Sequence, residues 1–308
     1  MKYINRKRIQ LLGLLFLVVF SIKCKKEDVS SNPNPISEFK NEQRITILGY
    51  SSDAMEPFIS KDGNYLFFNN YQGDNEKELY YAERINDVIF EFKGKIQGVN
   101  SSAVDGNPTM DEDNIFYFIS TRNINTETKT IYSGVFNNGT VSNLHEINGT
   151  INISTPYWIN MGVEVSKNGN SLFVSNAKFN PGENAPYKGN IRFALKEGSE
   201  FNIPNNENDI LKNINTDNAI EYAGELSSDE LELFYSQVTL SNPPIFKLYY
   251  AKRTQTNGVF DSPISITEPF AKNREAFVEG PSLSNDGKRL YYHKLEDNVF
   301  SIFMLSRE

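Results

Sequence analysis

One motif recurs along this chain roughly every 55 residues, and a tandem repeat of that kind restricts the fold more than any other feature. Each copy is a turn of the form Ser-x-Asp-Gly followed by an apolar strand ending in aromatics. The first copy runs from Glu56-Pro57-Phe58-Ile59 through Ser60-Lys61-Asp62-Gly63 to Tyr65-Leu66-Phe67-Phe68. The second runs from Asn107-Pro108 through Asp111-Glu112-Asp113-Asn114 to Phe116-Tyr117-Phe118, with Asp111 in place of the serine. The third has Ser166-Lys167-Asn168-Gly169 before Leu172-Phe173-Val174, and the fourth Ser227-Ser228-Asp229-Glu230 before Leu233-Phe234-Tyr235. The fifth has Gly280-Pro281, then Ser284-Asn285-Asp286-Gly287, then Leu290-Tyr291-Tyr292. Asp-Gly and Asn-Gly supply the positive-φ turn that suits paired strands, so each copy reads as a hairpin. A third strand follows in every unit, Glu78–Ala82 and Lys247–Ala251 among them, and a weaker fourth precedes the next unit, as at Lys95–Asn100. Four short strands per unit, repeated in tandem, is the plan of a β-propeller blade.

The repeat resembles the WD40-like repeat of TolB-type β-propellers, whose hallmark is Pro-x-x-Ser-x-Asp-Gly before an apolar strand. The resemblance covers residues 44–308 and implies an all-β fold in one domain. The fifth unit stops after its third strand, whereas Arg44–Tyr50 stands alone ahead of the first. The expectation is a five-bladed β-propeller whose N-terminal strand closes the last blade and leaves no open seam.

The first 24 residues read as an address. Lys2, Arg6, Lys7 and Arg8 precede the apolar run IQLLGLLFLVVFSI (9–22), and the chain's only cysteine, Cys24, follows. That run is shorter than the ~20 residues a spanning helix needs, which favours a signal peptide over residues 1–23. The segment resembles a bacterial lipoprotein precursor with Cys24 as the lipidation site. Lys23 departs from the usual small residue before the cysteine, and Lys-Glu-Asp soon after it is similar to the tether signal of Bacteroidota surface lipoproteins. The alternative is an uncleaved N-terminal anchor. Residues 24–43, with Asn32-Pro33-Asn34-Pro35, read as a flexible lipidated tether. The expected location is the outer membrane, facing the periplasm or the cell surface.

Lys plus Arg number 31 against 39 for Asp plus Glu, a net charge of -8, and loss of residues 1–23 takes this to -13. An acidic chain lacks the basic footprint of a nucleic-acid binder. With His145 and His293 alone, a histidine-rich metal site is not expected, and no cofactor motif is present. A protease of the prolyl-oligopeptidase kind is excluded, because no Gly-x-Ser-x-Gly elbow exists and no length remains for a hydrolase domain.

The remaining chemistry is acidic. Glu56, Asp105, Glu164, Glu221 and Glu279 lie at or within the first strands, which line a propeller's channel. Five-bladed glycoside hydrolases of the arabinanase type place an acid and a base there, which makes Glu56, Asp105 and Glu164 the candidate trio. Against this, the acids do not share one column of the repeat, which favours roles at strand ends or the rim. Asp62, Asp113, Asp229 and Asp286 read as turn formers. Tyr157 and Trp158 are candidate contacts for sugar or protein, with a buried filler as the alternative. Of each Tyr pair, such as Tyr249-Tyr250, one is expected between blades. The polar inserts 177–189 and 237–244 are expected to extend one rim. The favoured function is a monomeric, non-catalytic binding or scaffold module for an envelope protein or glycan, membrane-attached through its lipid. The rivals are a glycan-acting hydrolase and a subunit of a larger envelope complex.

Overall fold

The computed structural model describes residues 39–71, 77–124, 128–182, 185–266 and 277–308. The signal segment, Cys24 and most of the tether lie outside them. Blade one comprises β3 (Met55–Ile59), β4 (Tyr65–Asn69), β5 (Leu79–Arg84) and β6 (Ile89–Lys95), and blade two β7 (Asp105–Met110), β8 (Ile115–Ser120), β9 (Ile131–Asn137) and β10 (Thr140–Glu146). Blade three is built from β11 (Trp158–Val165), β12 (Ser171–Phe179), β13 (Pro186–Glu197) and β14 (Glu200–Asn202). One helical turn, α1 (Glu207–Ile210), precedes blade four, which holds β15 (Ala219–Leu226), β16 (Glu232–Thr239), β17 (Phe246–Lys252) and β18 (Ile264–Ser265). Blade five has β19 (Val278–Leu283), β20 (Arg289–Glu296) and β21 (Val299–Ser306), and its fourth strand is β1 (Lys40–Arg44). The fold is the expected five-bladed β-propeller.

The closure differs from expectation in register. Only β1 joins the last blade, antiparallel to β21, with Arg44 opposite Phe303. The chain then crosses the seam, and β2 (Thr46–Leu48) runs parallel to β6 on the outer edge of blade one. The N-terminal stretch therefore staples the last blade to the first, and residues 40–43, read as tether, belong to the ring.

Hydrophobic cores lie between blades, because each sheet is apolar on both faces. One cluster joins Phe67 of blade one to Phe116 and Phe136 of blade two, and another joins Tyr250 of blade four to Leu290 and Tyr292 of blade five. Both members of a tyrosine pair are used. Tyr249 packs towards blade three and Tyr250 towards blade five, as strand alternation directs.

The repeat's turns work as read. Asp62 accepts from Asn64 N at 3.0 Å, Ser60 Oγ accepts from Tyr65 N at 2.9 Å, and Asp229 and Asp286 repeat the pattern with their serines. In the second copy Asp111, not Asp113, forms the turn: its Oδ1 accepts from Asp113 N and Ile115 N at 3.0 and 2.8 Å. One carboxylate there replaces the hydroxyl of the other copies.

Candidate functional site

Every first strand carries an irregularity just before the turn, at Met55/Phe58, Gly106/Thr109, Asn160/Gly162, Tyr222/Glu225 and Glu279/Ser282. Glu56, Asn107, Ala223 and Gly280 sit there with φ between 48° and 64°. Such bulges redirect side chains, and here they aim them towards the channel. The repeat's proline follows at Pro57, Pro108 and Pro281. It is tolerated because these are inner edge strands with no further ladder to feed.

The result is a cavity of about 430 Å³ at the channel mouth, to which all five blades contribute. Its walls are apolar, with Ile119, Ile159, Met161, Val238, Leu240 and Phe246 among them, and its charged groups are Glu56, Lys77 and Glu279. Residues of both polar inserts, including Ala177, Pro186 and Leu240, form part of the wall, as the rim reading expected.

Glu56 is held from several sides. Lys77 Nζ lies 2.8 and 2.7 Å from its two oxygens, and Asn107 donates to Oε2 from its backbone N (3.2 Å) and from Nδ2 (3.0 Å). Burial alone would raise this carboxyl, but Lys77 and these donors outweigh it and hold it below its ordinary value. Gly106 makes the pairing possible, since a Cβ there would stand 2.6 Å from Lys77 Cε. Glu56 N donates to Nδ1 of the buried His293 at 3.1 Å, which places the ring proton on Nε2, 3.5 Å from Glu279 Oε2. The Tyr222 hydroxyl is enclosed beside Glu279 without closing a hydrogen bond of normal geometry; burial and then Glu279 push it far above the ordinary tyrosine range.

Below the cavity the channel narrows to a passage of about 30 Å³ lined by Glu56, Glu164 and Glu225 among others. There Lys61 turns inward from its hairpin, 3.2 Å from Glu164 and 3.9 Å from Glu225, with all three side chains buried. Thr109 Oγ1 donates to Glu164 at 2.7 Å, and Leu283 N donates to Glu225 at 3.0 Å. Burial first, and then the neighbouring Glu164, push Glu225 well above the carboxylate range.

The candidate trio is thus only partly brought together. Glu56 opens to the cavity and shares the passage beneath it with Glu164, whereas Asp105 lies elsewhere. Asp105 is fully buried away from both, accepting from Ser101 N and Oγ at 2.6 and 2.7 Å and from Arg122 at 2.9 Å. It clasps the loop entering blade two. Glu221 does the same in blade four, bonded to Thr216 and Gln237. Glu279 joins Glu56 at the cavity. Tyr157 is exposed and Trp158 half-buried at the start of β11, where Lys178 Nζ stands 5.9 Å from the Trp158 ring and 5.8 Å from Tyr187. They lie outside the cavity lining. Sequence reasoning missed Lys61, Lys77, Tyr222 and Glu225. For Glu225 a signal existed: it stands two residues before its turn serine, in the same repeat column as Glu164.

No protein-family model and no curated protein matches this sequence. Among solved structures, a hypothetical protein from Leishmania major aligns with a TM-score of 0.52 at 12% identity, over 88% of this chain and 90% of that one. The catalytic domain of a GH62 α-L-arabinofuranosidase from Coprinopsis cinerea aligns with a TM-score of 0.52 at 13% identity, over 85% of this chain and 94% of that one. TolB from Acinetobacter baumannii aligns with a TM-score of 0.44 at 12% identity, over 83% of this chain and 55% of that one. The likeness to the first two is one of fold, and with the sheet topology it makes the chain a β-propeller.

Proposed function

We propose that this propeller is a non-catalytic binding module of the cell envelope, held to the membrane by a lipid on Cys24, that receives part of a protein or glycan partner at its channel mouth. The observation that carries this reading is the cavity itself: concave, apolar-walled, with a few convergent polar groups, and within the size range of small-ligand sites. Its frame is rigid because the cores lock each blade to the next, so a ligand meets a preformed surface.

Glycoside hydrolysis needs one carboxyl that carries a proton and another that is ionised, both reaching one sugar across ~5–10 Å. Glu56 is ionised and engaged with Lys77 and Asn107. Glu225, the carboxyl pushed up along the channel, lines a passage of about 30 Å³, room for a water and not for a sugar. The test is to screen the full chain against envelope oligosaccharides for binding and for release of reducing ends. Binding without turnover is expected. Turnover that Glu56→Gln or Glu279→Gln abolishes would overturn the reading.

A glycan-acting hydrolase is the second reading, favoured by Glu56 and Glu279 opening into one cavity on a fold shared with an arabinofuranosidase domain. The same assay decides between the two.

A further inference from the structure

Among the described residues the charges lining the cavity do not balance. Glu56 is matched by Lys77, whereas Glu279 has no cation in ion-pair reach among the described residues except His293. His293 accepts from Glu56 N through Nδ1, so in this arrangement its ring is neutral and offers no compensating charge. Glu279 nevertheless keeps 13% of its side-chain surface open. Two amide oxygens of the lining are unmet as well. Asn160 Nδ2 donates to the Ile151 carbonyl at 3.2 Å, which fixes the orientation of that amide and leaves Oδ1 without a donor. Asn176, directly across the β11–β12 ladder from Asn160, has an unmet Oδ1 as well. Both residues belong to the cavity lining and are buried. The donors without partners beside Glu279 are the His293 Nε2–H and the Tyr222 hydroxyl, both uncharged, so among the described residues the lining holds one carboxylate without a counter-charge, in surroundings where apolar walls keep the dielectric low.

We propose that the cavity binds a protonated primary amine carried on an apolar body, with Glu279 as its counter-ion and the walls at Ile159, Met161, Val238 and Phe246 covering the body. An ammonium supplies the charge that Glu279 lacks, with three donors and no acceptor. A carboxylate or phosphate ligand would meet Glu279 unscreened, and Lys77 is already committed to Glu56. A glycan partner without an amino group would leave Glu279 without a counter-ion. This inference rests on the binding reading above and narrows the ligand class.

The experiment uses three near-isosteric probes, 2-phenylethylamine, 2-phenylethanol and phenylacetate, titrated calorimetrically into the full-length chain in detergent. The amine is expected to bind at least ~10-fold more tightly than the alcohol, in line with a hydrogen bond to a charged partner, and phenylacetate more weakly than both. Glu279→Gln is expected to remove the amine's advantage, and its melting curve shows whether it folds. The ratio on the wild-type chain needs no variant. Alcohol and amine binding equally would overturn the amine inference while leaving the cavity a binding site. Binding by none of the three would overturn the amine inference, and the binding reading would then stand or fall with the oligosaccharide screen. An amine preference that survives in folded Glu279→Gln would overturn the assignment of the counter-ion.

Discussion

Lys61 occupies the second position of a surface turn, yet its ammonium is buried between two glutamates of blades three and four. Burial would lower a lysine's pKa, but Glu164 and Glu225 outweigh it and raise it. One cation facing two carboxylates leaves a proton for the pair to hold, and Glu225 is where the upward shift falls. A carboxyl raised on folding takes up a proton, so stability falls as pH climbs from the ordinary carboxyl range through the folded value. Glu225→Gln imitates the protonated form and keeps an acceptor for Leu283 N. Melting curves of this variant should match wild type near pH 4.5 and lie above it by pH 8; parallel curves across that range would refute the assignment. Lys61→Met should do the reverse, costing about 3–5 kcal/mol at pH 8 by leaving buried carboxylates unpaired, and less at pH 5 where they can take protons. Denaturant unfolding at both pH values measures this. None of it was legible at Lys61 in the sequence. A lysine in a Ser-x-Asp-Gly turn is ordinarily solvated, and only the convergence of five inner strands brings it over the channel. The turns themselves were legible, because Ser60 and Asp62 act through bonds to residues at most five positions away.

Strands were read where their side chains alternate or cluster around aromatics, and missed where pairing alone makes them. β1 (KNEQR) is exposed at every position and carries no hydrophobic pattern. Its strand character comes from the free edge of β21, which leaves a row of backbone groups to be paired. What anchors it is the preceding Phe39, 4% exposed and packed edge-on against Phe234 at 5.7 Å, with Arg307 over its ring. Deleting residues 1–38 should therefore leave the melting temperature unchanged, and deleting residues 1–44 should lower it sharply and broaden the transition. Phe39→Ala should cost about 3 kcal/mol, the usual loss for a buried aromatic whose site cannot collapse. A deletion of residues 1–44 that melts like wild type would mean that β2 alone holds the seam.

At the scale of the molecule the ring and its anchor are separate problems. The cores lie between blades, and among the described residues the seam between the last and first blades is sealed by those from Phe39 onward. The proposed membrane attachment, in contrast, rests on the first 24 residues, since a chain cut at Cys24 would carry a charge of -13 and gain nothing from an anionic lipid surface. That separation makes the lipid proposal testable without disturbing the fold. Cys24→Ala should abolish metabolic palmitate labelling while leaving the melting temperature at its wild-type value. It should also move the protein from the membrane pellet to the soluble fraction if the apolar run at residues 9–22 is cleaved. Labelling equal to wild type would overturn lipidation at Cys24. A variant that loses its label yet stays in the pellet would instead show that the run itself remains as the anchor.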